Sequence, residues 1–476
     1  MPFEEYDSYD AVGLAKLIAC GEVTSGEVMD TAIALAEAAQ TRYNCFVSTD
    51  FDAARAAAHH PVPGPFSGVP FAVKDLWLEW AGAPHHAGSR FTRDAHRFDV
   101  DSPLAAAFRG SGLISIGKTN TPEFGITGTT EPGRFGPTRN PWNPERIAGG
   151  SSGGSAALVA AGVVPVAHAS DGAGSIRIPA ACCGLVGLMP SRGRTERPNA
   201  ALDVPFGFSR NFIVSRSVRD SAAMLDVVAN AGRYAPTSPH GSWQEGMLLP
   251  PGPLRIAAST ETPSGRPVDP EIRQAFEQTV ALLGDLGHFV EERTPQADWR
   301  RFYRAFGTVG SSQLAADVDG IERLLGRAPA ESDLEPLTWR NLRAGRARTG
   351  VEVIEALRVL QQFTREMEAF FGEFDVLLTP VLGLPLPKVG WLDPVAVEPR
   401  EHDRRSAQAF PFTPPCNATG QPAISLPLAT DAEGLPIGMQ FAGRFGAELT
   451  LLQLAGELEA ARPWQQRRPV LAGTAA

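Results

Sequence analysis

The sequence predicts an α/β fold: a single large domain over residues 1–476 in which a mixed, twisted β-sheet is sandwiched between layers of α-helices. Three observations carry this expectation. Short apolar runs that end in polar residues recur along the chain, as in GVPFAVKDLW (68–77), GLISIGKTN (112–120) and VVPVAHASD (163–171), which is the pattern of strands buried on both faces. Segments of helical periodicity alternate with these runs, as they do when helices cover a largely parallel sheet. The 476 residues show no internal repeat and no linker long enough to separate two independent domains.

The elements follow in order. Helical periodicity is clear at about 10–20 and 25–40, where Gly21 stops the first helix and Thr24 and Ser25 can cap the second. The short apolar run NCFVSTD comes next, and the three strand-like runs above then fill a core motif region at about 65–195. Residues 195–215 (TERPNAALDVPFGFSRNFIVS), rich in Pro, Gly and Phe, read as a long mobile loop, a lid. Residues 299–372 are helical almost throughout. The sheet returns at about 374–462, with FDVLLTP as one strand, QPAISLPLATDAEGLPIGMQFAG as two strands around a glycine turn, and a closing helix at about 446–461.

Composition narrows the function. A net charge of −10 with no Lys/Arg cluster argues against a nucleic-acid partner. The acidic start MPFEEYDSYD has no apolar run behind a basic segment, and no stretch of about 18 apolar residues occurs, so a soluble cytoplasmic protein is expected, with no membrane association. Five scattered cysteines without CxxC spacing suggest reduced thiols, with Cys182 and Cys183 packing as small apolar groups. The histidines show no metal spacing, and His59-His60 and His85-His86 read as exposed loop or helix-end residues. Only Lys16, Lys74, Lys118 and Lys388 among 43 basic residues are lysines, so a lysine in an apolar setting calls for a reason.

The segment GGSSGGSAA at 149–157 is the strongest local signal. It is a poor flexible linker, because AALVAAGVV follows at once with strong helix formers. As a phosphate cradle it lacks the GK[ST] ending of a Walker loop. It matches GxSxG twice, centred on Ser151 and on Ser152, but a nucleophile elbow follows an apolar strand, and RNPWNPERIA is a proline-punctuated loop. What remains is a glycine-serine loop that opens a helix and presents hydroxyls at its N-terminus. Just beyond, PVAHASD runs into GAGSIRIP, where Gly172 and Gly174 permit a tight turn around Ala173 and the amides of 172–175 can converge as an oxyanion hole.

GGSSGGSAA, the 24-residue step from Ser151 to Ser175 in SDGAGSIRIPAACCGLVGL, and the upstream lysine of GVPFAVKD together resemble the amidase signature family of serine hydrolases. The likeness extends through IGKTNTPEFG, RNPWNPERIAGG and NATGQPAISLP; PVAHASDGAGSIRIPA, GTTEP and TGQPAISLP are most similar to the branch containing the nylon-oligomer (6-aminohexanoate cyclic dimer) hydrolases. The resemblance implies the amidase signature fold and a Ser–cis-Ser–Lys triad without histidine. Ser175 is then the nucleophile, Ser151, preceded by a cis peptide, the bridging serine, and Lys74 the base. The amides of Gly172, Ala173, Gly174 and Ser175 form the oxyanion hole, and Ser152 and Asp171 match supporting positions.

Elementary chemistry agrees with these roles. A serine hydroxyl needs a base, and a lysine serves only when burial lowers its pKa, which arginine cannot imitate. Lys74, after the apolar run VPFAV, is the lysine best placed for desolvation; Lys118 reads as a strand-end structural group. Neutral Lys74 draws the Ser175 proton through Ser151, the acyl-enzyme forms and water hydrolyses it, with neither metal nor organic cofactor required. The expected substrate is a small amide, carbamate or ester, and a homodimer is left open.

Two departures from the family pattern stand out. Ala173 occupies a usual glycine, and Met189, in GLMPS, a usual lysine. Trp77, Trp80, Phe124, Phe135 and Trp142 lie near the motifs as pocket or core aromatics. Two other readings fit parts of the sequence: a glutamine-hydrolysing amidotransferase A-type subunit, and an α/β-hydrolase esterase with Ser152 on an elbow and His240, His288 or His402 as its histidine.

Overall fold

A computed structural model describes residues 3–92, 96–195, 207–229, 238 and 241–469. Its strands are β1 (Phe46–Thr49), β2 (Pro70–Lys74), β3 (Pro84–His85), β4 (His96–Arg97), β5 (Ile114–Thr119), β6 (Val166–Asp171), β7 (Val186–Met189), β8 (Arg210–Ser215), β9 (Arg255–Ala258), β10 (Phe289–Glu292), β11 (Val376–Pro380), β12 (Ala423–Thr430) and β13 (Pro436–Gly443). Eleven of them form one mixed sheet in the order β1-β5-β2-β6-β8-β7-β12-β13-β11-β9-β10, and β3 and β4 form a separate ribbon. Strands β5, β2 and β6 run parallel to one another, as do β11, β9 and β10, and the remaining pairs are antiparallel. Every residue of β2, β6, β11 and β13 is buried, so both faces of the central sheet are covered, and the α/β fold expected from the apolar runs is the fold observed.

Local chemistry accounts for the elements that hold the sheet. The Ser25–Tyr43 helix opens with a capping box: Glu27 N–H donates to Thr24 Oγ1 while the Glu27 carboxylate accepts from Thr24 N–H. Gly21, in the left-handed conformation, closes the helix Ala11–Cys20 before it. Helices Gly153–Ala160 and Arg177–Cys183 touch each other and rest on the sheet, the first on β2, β6 and β8 and the second on β7, β12 and β13. The long helices Trp299–Leu325 and Gly350–Glu373 pack through Phe302 and Phe363, whose ring centroids are 4.3 Å apart, and close over Met189, Ala257 and Ala423 of the sheet. A second apolar cluster joins the Trp299–Leu325 helix, through Leu314 and Val318, to Leu76 and Phe124 in the loops beyond β2 and β5. The helical region thus rests against both halves of the motif region.

One sequence expectation fails. The lid placed at 195–215 ends in a strand: RNFIVS is β8, paired antiparallel with β6 along its whole length and with β7 at its end. Its apolar residues fill the gap between those strands, and the Pro- and Gly-rich text before it hid them. Residues 196–206 of that expected lid lie outside the described residues. The four-residue strands β7, β9 and β10 are too short for period-2 alternation to show in the sequence.

The helix opened by the glycine-serine loop lies against backbone. A Cβ on Gly154 would fall 2.5 Å from Asn120 N and 2.6 Å from Cys45 O, neither of which can yield as a flexible side chain can. Gly284, near the end of helix Pro270–Asp285, has nothing within 4 Å of its virtual Cβ. Gly154→Ala is therefore expected to destabilise the protein by about 1–3 kcal/mol through overpacking. Gly284→Ala should be neutral or stabilising by up to about 1 kcal/mol. Thermal denaturation of both variants beside the parent checks the contrast.

Candidate active site

Lys74 is the last residue of β2, and Ser170 and Asp171 are the last residues of β6, its parallel neighbour. Parallel strands bring their carboxyl ends to the same edge of a sheet, where the connecting loops leave a crevice. There the Lys74 side chain is fully buried. Its Nζ lies 2.7 Å from Ser151 Oγ, 2.9 Å from Ser170 Oγ and 3.3 Å from the Ser170 carbonyl oxygen. Burial pulls the Lys74 pKa from 10.5 down to about 7, against the opposing pull of the Asp171 carboxylate.

Ser151 reaches this lysine from the loop before helix Gly153–Ala160, and the Gly150–Ser151 peptide is cis. Ser152 faces β6 instead: its Oγ donates to the Ser170 carbonyl (3.2 Å) and accepts from Ser170 N–H (3.3 Å), tying the loop to the strand. No strand precedes the loop, so the elbow geometry is absent. The histidines proposed for an elbow triad bond elsewhere, His288 to Leu254 N–H and Glu457, and His402 to Thr127, while His240 lies outside the described residues.

Beyond β6 the chain turns tightly around the Asp171 carboxylate. Gly174 N–H donates to its Oδ1 at 2.6 Å and Ile176 N–H to its Oδ2 at 3.1 Å; Arg177 forks onto both oxygens at 2.9 and 3.0 Å; Asn417 Nδ2 donates to Oδ1 at 2.9 Å. Burial alone would raise the Asp171 pKa, but the Arg177 charge and these hydrogen bonds outweigh it and hold the acid at about 2. The turn amends one expectation. Of the four amides expected to converge, Gly174 N–H is committed to Asp171, whereas those of Gly172, Ala173 and Ser175 make no hydrogen bond to a described residue. Ser175 follows them, 8% exposed, and its hydroxyl likewise bonds to no described residue.

The other residues marked in the sequence have definite places as well. Lys118, at the end of β5, is buried with its Nζ 3.9 Å from Asp75, the structural position expected of it. His59 and His60 are exposed as expected, but His85 and His86 are buried: His86 donates its backbone N–H to the Asp75 carboxylate, and its Nδ1 lies 3.0 Å from Asp75 Oδ2. An acid next to Lys118 needs further polar partners once desolvated, and the histidine pair supplies them. Cys182 and Cys183 are buried thiols whose pKa values burial pushes up. Trp80 packs on Phe71, and Trp142 donates its indole N–H to the Cys183 carbonyl. Trp77 stacks on Phe124 beside Leu76.

Met189 now has an account. It lies in the apolar cluster under the long helices, and its Sδ accepts from Asn417 Nδ2 at 3.2 Å. A thioether there needs no counter-ion, whereas an ammonium would sit among apolar groups beside the amide that Arg177 also uses.

Sequence reasoning missed Ser170, Arg177, Thr413 and Asn417. An arginine inside the otherwise apolar IRIPAACC was a readable sign of a buried ion pair; nothing in FTPPCNATG marks residues that meet a turn 240 positions earlier. Among the described residues, no group of three or more His, Cys, Asp or Glu converges as a metal site, and no helix is long and apolar enough to cross a membrane.

Residues 27–452 match the family described as Amidase. The chain is 36% identical to the 6-aminohexanoate-cyclic-dimer hydrolase of Paenarthrobacter ureafaciens, covering 97% of this chain and 96% of that protein. It is 41% identical to the putative amidase AmiC of Mycobacterium tuberculosis (strain ATCC 25618 / H37Rv), covering 96% and 95%. A solved structure of a 6-aminohexanoate cyclic dimer hydrolase superposes with a TM-score of 0.93 at 36% identity, covering 98% of this chain and 99% of that one.

The Asp171–Arg177 pair should be indispensable to the folded turn. Asp171→Asn preserves shape but leaves Arg177, fully buried, without its counter-ion, a loss expected to cost about 3–5 kcal/mol. Denaturant unfolding of this variant at neutral pH checks it; a change below about 1 kcal/mol would show that the pair is dispensable.

Proposed function

The chain belongs to the amidase family and hydrolyses carbon–nitrogen bonds of non-peptide amides, and from that premise we propose that it does so through a Ser175–Ser151–Lys74 triad and an acyl-enzyme. One observation carries the reading: a lysine amine held at 2.7 Å from a serine hydroxyl in a buried site that brings its pKa to about 7. A neutral Lys74 amine can donate its two N–H bonds to the Ser170 carbonyl and Ser170 Oγ, which leaves its lone pair to accept from the Ser151 hydroxyl 2.7 Å away. An ammonium group could not accept the Ser151 proton.

In the proposed cycle, Ser151 passes its proton to Lys74 as it takes one from Ser175, and Ser175 Oγ bonds to the carbonyl carbon. The free amides of the turn stabilise the oxyanion. The contact between Ser175 and Ser151 closes as substrate binds, since catalytic hydrogen bonds tighten in the productive complex. When the tetrahedral intermediate collapses, the C–N bond breaks and the proton on Lys74 returns through Ser151 to the departing amine. Water then adds to the acyl carbon with the same pair as base, and Ser175 leaves with a proton restored.

Small neutral or apolar substrates suit the surroundings. Asn417 links the Asp171 turn to the Phe208 carbonyl, and Phe208 stacks on Phe306 of the long helix with centroids 4.4 Å apart. This aromatic wall supports linear or cyclic aminohexanoate-type amides, aryl amides and carbamates as substrates, with esters as a side reaction. A carbamate presents the same carbonyl with one added flanking oxygen.

A panel of these amides, carbamates and esters, with glutamine as a control, identifies the substrate class. Ser175→Ala should abolish turnover, Ser151→Ala should leave a trace, and a fluorophosphonate should label Ser175. Recovery of the adduct on Ser152 would move the nucleophile.

The pH profile tests the base. Because burial lowers the Lys74 pKa, the active neutral form gains population as pH rises, so kcat/KM should climb through an ionisation near 7 to an alkaline plateau. Lys74→Arg cannot lose its proton, and Lys74→Ala has none to accept; both should be severely impaired at every pH. Near-normal turnover by Lys74→Arg would show that another group is the base.

A further inference from the structure

The turn that carries Ser175 is held from outside the motif region. Thr413, fully buried and 240 residues away in sequence, donates its hydroxyl to the Ala173 carbonyl at 2.6 Å. That carbonyl belongs to the same peptide unit as the Gly174 N–H, which donates to Asp171 Oδ1, also at 2.6 Å. In a trans peptide the C=O and N–H point in opposite directions. The Ala173–Gly174 plane is therefore gripped at both ends, and its orientation limits where the flanking Ala173 and Ser175 amides can point.

The fit is close on every side. A Cβ on Gly174 would fall 2.3 Å from Thr413 Oγ1, and Gly174 has φ +131°, a conformation that side-chain-bearing residues rarely adopt. Arg177 secures the other half of the clamp by donating to the Thr413 carbonyl at 2.9 Å and to Gln440 Oε1 at 2.7 Å.

We propose that Thr413 is a positioning residue for the oxyanion turn: its hydroxyl fixes the Ala173–Gly174 peptide so that the hole has three amide donors, Gly172, Ala173 and Ser175, with Gly174 N–H reserved for Asp171. The proposal rests on Ser175 being the nucleophile. Without the hydroxyl, the Gly174 N–H alone holds the peptide, which can then tilt the Ala173 carbonyl toward the developing oxyanion, where like partial charges repel. The loss is then felt in the transition state more than in the bound substrate.

The test compares Thr413→Val, which keeps the shape and removes the hydroxyl, with Thr413→Ser, which keeps the hydroxyl. Thr413→Val should lose about 10- to 100-fold in kcat with KM little changed, as expected when a donor array is misplaced without being removed. Thr413→Ser should recover most of that loss. Affinity for a trifluoromethyl ketone, which presents an oxyanion to the hole, should fall in step with kcat/KM across the series, a correlation that a merely structural role would not produce. If Thr413→Val fails to fold, Thr413→Ala replaces it in the same comparison.

Wild-type kcat in the hydroxyl-free variant, or a serine variant as slow as it, overturns the proposal. Ser175→Ala, assayed alongside, separates the two levels. If it is inactive while Thr413→Val is normal, only the positioning role falls; if Ser175→Ala turns over normally, the nucleophile assignment falls and this proposal with it.

Discussion

The buried Asp171–Arg177 ion pair is the constraint on which the site depends. A carboxylate taken out of water must be surrounded by donors, and the donors Asp171 collects come from three parts of the chain: the turn after β6, the helix that follows it, and Asn417 from the C-terminal segment. Arg177 has the same need for acceptors and meets it with Asp171, Thr413, Gln440 and Asn417. Satisfying two charges thus sets the path of the backbone between them, and Ser175 lies on that path. The energetic demand is structural, and its consequence is the placement of a hydroxyl and three amides.

Burial acts on Lys74 in the opposite sense. Asp171 keeps its charge because a guanidinium lies beside it, whereas Lys74 has hydroxyls and a carbonyl for neighbours, and desolvation wins over the attraction of Asp171. His168, one residue pair further back on β6, shows the same effect more strongly: burial first, then the two nearby lysines, push its pKa down to about 3. It is neutral at neutral pH, and its Nε2 donates to Asn211 Oδ1 at 3.2 Å. The polar interior is therefore graded, with one firmly ionised acid, one lysine poised near neutrality and one histidine that stays uncharged.

Much of this was legible in the sequence because the responsible features are local. The apolar runs around Phe71, Ile116 and Ala167 announced strands, and the glycine-serine loop announced a helix start, because periodicity and turn chemistry act over a few residues. The rarity of lysine singled out Lys74, and the motif spacing singled out Ser151 and Ser175. Features requiring partners far along the chain were invisible. β8 reads in sequence as part of a lid because its partners in the sheet, β6 and β7, lie outside its own segment. His85 and His86 read in sequence as exposed because nothing near them shows that Asp75 and Lys118 meet beside them.

Fold class, family, and the serines and lysine at the motif positions all follow from residue type and short-range spacing, and are legible before any folding is considered. Tertiary structure alone decided that Lys74 is desolvated, that Gly174 spends its amide on Asp171, and that Thr413 and Asn417 reach the turn from the far end of the chain. Burial and hydrogen-bond direction are properties of the closed core, and they exist only after strands distant in sequence have been brought side by side.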